Sequence, residues 1–107
     1  MSNYWNNQVA LPAPELITAM TGSSVLIGTL LFNPNKLILD NQSTAAVVLS
    51  ISFDGGTTKI QWHTFPAGEA MILDDDLSSF PIGTQFYGNG AASGSFSVSY
   101  TYLKLEG

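Results

Sequence analysis

Residues 94–102, GSFSVSYTY, constrain the fold of this chain most, because Phe96, Val98, Tyr100 and Tyr102 alternate with Ser95, Ser97, Ser99 and Thr101. Successive side chains of a β-strand point to opposite faces, so a period of two describes a strand with one packed face and one wet face. Residues 46–54, AVVLSISFD, repeat the pattern, with Val47, Leu49, Ile51 and Phe53 expected inward and Val48, Ser50, Ser52 and Asp54 outward. Both segments read as central strands. Residues 24–32, SVLIGTLLF, differ in being apolar on both parities: Val25, Ile27 and Leu31 on one side, Leu26, Leu30 and Phe32 on the other. A strand of that kind is expected to be covered on both faces, by its own domain and by a second subunit at Leu26, Leu30 and Phe32.

Five further strands are expected at residues 16–20, 36–41, 59–65, 70–74 and 84–87, separated by turn signals such as Asp54-Gly55-Gly56, Pro66-Ala67-Gly68 and Pro81-Ile82-Gly83. About eight short antiparallel strands with no sustained helical period define an all-β class, a single β-sandwich or jelly-roll-like domain over residues 15–107. Residues 1–14 stand apart. They are rich in asparagine, carry Tyr4 and Trp5, and place Pro12 and Pro14 two apart, which favours an extended path and opposes a helix. They are expected to form an N-terminal arm whose aromatic residues bind a partner. Residues 88–94, GNGAASG, are expected to be a flexible hairpin tip.

Composition narrows the function classes. The chain is 10% charged and 45% hydrophobic, so its solvent-facing positions are largely Ser, Thr, Asn and Gln, a surface that suits coverage by neighbours. Lys36, Lys59 and Lys104 are its only basic residues besides the lone histidine, and the net charge is -5. With no basic stripe to neutralise phosphates, nucleic acid is not an expected partner. Cysteine is absent, which removes disulfides, thiolate metal sites and a cysteine nucleophile. No segment approaches the length of apolar sequence that spans a membrane, and the N-terminal residues lack the features of a signal peptide. The expected site of synthesis is a cytoplasm.

Candidate chemistry is sparse. Asp54-Gly55-Gly56 reads as a hairpin turn and lacks the ligand spacing of an EF-hand. Asp74, Asp75 and Asp76 are adjacent, and consecutive strand residues diverge, so they are expected on a solvated loop that discourages edge-to-edge association. His63, beside Trp62, has no G-x-S-x-G serine to activate and no second histidine with which to hold a metal. The pair is expected as an exposed contact. No catalytic, cofactor-binding or metal residue is assigned.

The succession of motifs is more specific than any one of them: N-P-N-K, an apolar strand and D-N; then I-S-F-D-G; then P-A-G-E before another apolar strand; then I-G-T-Q-F-Y and the last alternating strand. From Asn33 to Tyr102 this order resembles the small β-sandwich virion proteins of tailed bacteriophages, which cement or decorate capsids or join fibres to the particle. The resemblance implies a non-enzymatic structural role in the virion, after synthesis in the bacterial host. It further implies a homotrimer whose arm (Tyr4, Trp5, Pro12, Pro14) and loops grip the major capsid protein or other virion proteins. The competing expectation is a receptor- or carbohydrate-binding module, or a fibre-attachment or head-tail adaptor protein, that presents Trp62 and His63 outward.

Overall fold

A computed structural model of the chain describes residues 8–105. Among them there is no helix, and nine strands form two antiparallel sheets: β1 (Gln8–Pro12), β2 (Leu16–Ala19), β3 (Val25–Thr29), β4 (Pro34–Asn41), β5 (Val47–Ser52), β6 (Ile60–Phe65), β7 (Ala70–Leu73), β8 (Gln85–Gly90) and β9 (Ser95–Leu105). The pairing is nested. Strand β2 pairs with β9, β3 with β8, β4 with β7 and β5 with β6, as if one long hairpin had been rolled up and sealed by pairing β4 with β9 and β5 with β8. Sheet A therefore runs β1-β9-β4-β7, with β2 also on β9, and sheet B runs β3-β8-β5-β6.

The two expected central strands are central, β9 in sheet A and β5 in sheet B. Their inward side chains meet across the sandwich: Val98 and Phe96 from β9, Leu37 and Leu39 from β4, Val47 and Leu49 from β5 are all fully buried. Strands β2 and β3 close one edge of the roll. They come close only because Gly28 has no side chain, since a Cβ there would lie 2.8 Å from the Cβ of Leu16. Tyr100 points inward as its alternation requires, and its hydroxyl accepts a hydrogen bond from the backbone N–H of Leu31 at 2.8 Å. That bond ties β9 to the turn after β3.

Several expectations need correction. Residues 8–12 of the anticipated arm are strand β1, in register with β9 from Gln8 opposite Leu105 to Pro12 opposite Thr101. Pro12 is tolerated because β1 is an edge strand that does not require its missing donor. Tyr4 and Trp5 lie outside the described residues. Residues 24–32 are not a single strand covered on both faces. Strand β3 lies at an edge of sheet B, Leu26 is 45% exposed on its outer side, and Leu30, 1% exposed, fills the core of its own domain and is not free for a subunit contact. Phe32 stacks on Tyr102, with ring centroids 3.8 Å apart and planes 7° from parallel. Phe53 is not inward: strand β5 ends at Ser52, and Phe53 sits in the following loop, 51% exposed. Ser97 is buried, because Ile17 and Asp40 flank it in the sheet and Gln42 donates a hydrogen bond to its hydroxyl. Finally, Gly88 to Gly90 belong to β8 and not to a loose tip. At Gly88 the space for a Cβ is occupied by Met20 and Ile27, so glycine there serves core packing.

The molecule is elongated, with extents of 56 × 28 × 20 Å. Strand β9 is eleven residues long, which at about 3.3 Å per residue spans roughly 36 Å. Its pairing with β4 stops at Tyr102, opposite Pro34. Beyond that point it pairs with β1 alone, as a two-stranded ribbon projecting from the sandwich.

Candidate functional site

Two surface features stand out, and they meet at Ile72 on β7. The first is a cleft of about 360 Å³ where the edges of β6 and β7 part. Strand β6 makes a β-bulge there: Leu49 faces His63 and Ser50 faces Gln61, leaving Trp62 as the extra residue. The bulge suspends strict alternation, so that adjacent Trp62 and His63 both reach Phe65, the histidine ring edge-on at 4.6 Å. Phe80 meets the indole edge-on, at 5.8 Å and 83°. Trp62 is thus half-buried and forms a wall of the cleft with Ile72, Leu73 and Leu77, while Asp74, Asp75, Asp76 and Ser79 line its rim.

The chemistry of this cleft is limited by what its polar groups already do. His63 Nε2 lies 3.1 Å from Glu69 Oε1, each side chain 38% exposed, and this is the one contact between a basic and an acidic side chain among the described residues. No hydroxyl is hydrogen-bonded to His63 among them. Asp76 accepts the backbone N–H of Ser78 at 3.1 Å, and the Ser78 side chain and backbone together hold its carboxyl below the usual value. Asp75 accepts the N–H of Asp76. These carboxylates serve their own loop, and among the described residues no group of three or more His, Cys, Asp or Glu side chains is arranged to hold a metal ion. The cleft can accept an apolar group against Trp62 and a hydrogen-bond donor or cation at its rim.

The second feature is the outer face of sheet A. Registers place Ser99, Ile38 and Ile72 in one row across β9, β4 and β7, and Ile17, Ser97, Asp40 and Ala70 in the next row across β2, β9, β4 and β7. Ile17 is 48% exposed and Ile72 58% exposed. Between these isoleucines stand Ser97, Ser99, Ile38, Asp40 and Ala70. A groove of about 320 Å³ runs along one side of the face, lined by Pro12, Ala13, Glu15, Lys36, Ile38 and Ser99 with their neighbours on β9. Its floor is apolar; Glu15 and Lys36 stand at its rim.

Of the residues singled out in the sequence, Trp62 and the three aspartates come together at the first feature, and His63, next to Trp62 on β6, is turned to Glu69 and does not line it. Pro12 reaches the second, as part of a strand. Leu26 lies on the outer face of sheet B, on β3, at the end of that sheet opposite β6 and the first feature. The isoleucines of sheet A were not singled out, although a signal for them exists. Leu37-Ile38-Leu39 and Met71-Ile72-Leu73 are apolar at both parities, the same feature that drew attention to residues 24–32.

The Asp54 hairpin is a structural device. Asp54 Oδ1 accepts the N–H of Thr58 at 2.8 Å and the hydroxyl of Ser52 at 2.8 Å, while Gly55 and Gly56 take positive φ of 73° and 95°. Gly56 in turn donates its N–H to the Ser52 hydroxyl.

No protein-family model matches the chain, and no curated protein and no solved structure is significantly similar to it.

Proposed function

We propose that this protein is a non-enzymatic structural subunit of a virus particle, a cement or decoration protein that associates with copies of itself and with shell subunits through the outer face of sheet A. The observation that carries the reading is the pair of exposed isoleucines, Ile17 and Ile72, on that face with half-buried Ile38 between them, where Asp40 is the one charged side chain in the rows they occupy. A monomer gains nothing from apolar side chains presented to water in this way, whereas a contact gains about 25 cal/mol for each Å² of apolar surface covered. The order of motifs from Asn33 to Tyr102 supports placing it in a tailed-phage virion. The nested strand pairing adds an analogy, since double-sheet jelly rolls recur in viral capsid domains, though fold alone does not assign function. The test is retention on emptied phage capsids after sedimentation, together with the mass in solution. Wild-type protein is expected to co-sediment and Ile17→Asp and Ile72→Asp to stay in the supernatant; equal retention of all three would overturn the reading.

The Trp62 cleft favours one second reading, a carbohydrate-binding module, because an aromatic wall with carboxylates at the rim is suited to a sugar ring. Saturable binding on a glycan screen that is lost in Trp62→Ala would establish it.

A further inference from the structure

We infer that the occupant of the outer face of sheet A is a second copy of this chain, packed face to face about a two-fold axis that lies between the two faces and crosses β4 at Ile38. This rests on the preceding reading of that face as a contact surface and names its partner and register.

The outward side chains of β4 read Lys36, Ile38, Asp40: a cation, an apolar residue and an anion at alternate positions, each about 6.6 Å from the next. Such a stripe is complementary to itself when reversed. Rotation about the stated axis runs β4 of one copy antiparallel over β4 of the other, so that each Lys36 faces the partner copy's Asp40, and Ile38 faces its own mate. Both charges are available for this. Neither lies in an ion pair within its own chain among the described residues, and Asp40 is met only by the Gln42 amide, at 3.2 Å. The other two lysines are elsewhere, Lys59 over the Tyr87 ring at 4.4 Å and Lys104 on the ribbon. Lys36 is therefore the one cation on a face that a chain of net charge -5 must bring against its own copy.

The same rotation keeps each strand column over itself while reversing the rows. Ile72 then meets Ile72. Ile17, in the Asp40 row of the β2 column, falls opposite the Lys36 row at the β1 end, where the groove lined by Pro12, Ala13 and Ile38 lies. One operation thus pairs Lys36 with Asp40, stacks two isoleucines on their mates and brings an exposed isoleucine to the groove, while Glu15, which accepts the Ser99 hydroxyl in the Ile38 row, falls on the side of its own mate. A patch that matches itself closes as a two-fold pair, whereas a three-fold ring needs two different patches. The stripe accordingly favours a dimer over the trimer that the family resemblance implies.

Light scattering after size exclusion tests this on the full chain. Wild-type protein is expected at twice the 11.4 kDa chain mass, with Lys36→Asp and Asp40→Lys each weakening association about tenfold or more, since each sets like charges opposite one another at two symmetry-related places. The double swap, Lys36→Asp with Asp40→Lys, is expected to restore association, because both pairs re-form. These side chains point outward, and circular dichroism with thermal unfolding confirms that each variant is folded. If the double swap stays as dissociated as the single variants, the register is wrong. If both single charge variants associate normally while Ile17→Asp does not, the face remains a contact surface and the two-fold arrangement falls. A wild-type monomer at high concentration would overturn both.

Discussion

The side-chain amide of Asn41, fully buried, donates to the backbone carbonyl of Phe65 at 3.1 Å. It also donates to the carbonyls of Ala45 and Pro66 at 3.0 Å each, and its Oδ1 accepts from the N–H and the hydroxyl of Ser43. One residue at the end of β4 therefore pins the crossover into β5 to the β6–β7 turn. Asn41→Ala leaves several of those backbone groups unpaired away from water and is expected to lower stability by about 2–4 kcal/mol in urea unfolding. Ser43→Ala, which removes one hydroxyl, is expected to lower it by about 1 kcal/mol.

Gly28 and Leu16 touch where the roll closes. Adding a Cβ at residue 28 places it 2.8 Å from Leu16 atoms, so Gly28→Ala is expected to cost about 1–3 kcal/mol through overpacking. Because the two sites are in direct contact, the double variant Gly28→Ala, Leu16→Ala is expected to be more stable than the sum of the single losses by at least about 0.5 kcal/mol. Denaturation midpoints of the four proteins measure the coupling, and strict additivity would refute the contact.

The projecting ribbon is anchored by the stack of Phe32 on Tyr102. Two-stranded ribbons are marginal alone, and such a stack contributes about 0.5–1.5 kcal/mol. Tyr102→Ala is expected to speed hydrogen exchange of the amides of β1 severalfold while leaving those of β5 protected, as read by mass spectrometry of the two segments.

Asp54 has its carboxyl held below the ordinary value of 3.8, first by the N–H of Thr58 and next by the Ser52 hydroxyl. A carboxylate whose folded value is depressed stabilises the hairpin fully above the unfolded value and loses that contribution as pH falls through the folded one. NMR titration is expected to place the Asp54 midpoint under 3.8, with the Thr58 amide shift following the same curve. In Asp54→Ala the Thr58 amide should exchange freely at neutral pH.

The strand list was largely legible because eight of the nine segments carry either alternation or short apolar runs between turn residues. The ninth was missed for a physical reason. Around Gln8–Pro12 the pair Pro12 and Pro14 favours an extended path, and an extended path becomes a strand only when a partner edge is present. The length of β9, which continues through Lys104 and Leu105, provides it. Trp62 and His63 were expected as an exposed contact and are half-buried; that both reach Phe65 depends on a bulge, and no local pattern announces the one-residue mismatch between β5 and β6 that produces it.

By itself, the sequence determined the all-β class, the central roles of residues 46–52 and 95–102, and a surface low in charge, because side-chain period and composition act locally along the backbone. Tertiary structure alone decided which apolar side chains remain outside. Leu30 and Ile38 sit in similar apolar runs, yet Leu30 disappears into the core and Ile38 lies on an outer face. The difference comes from which face of each run the rolled sheets enclose, a matter of long-range register that no stretch of residues carries alone.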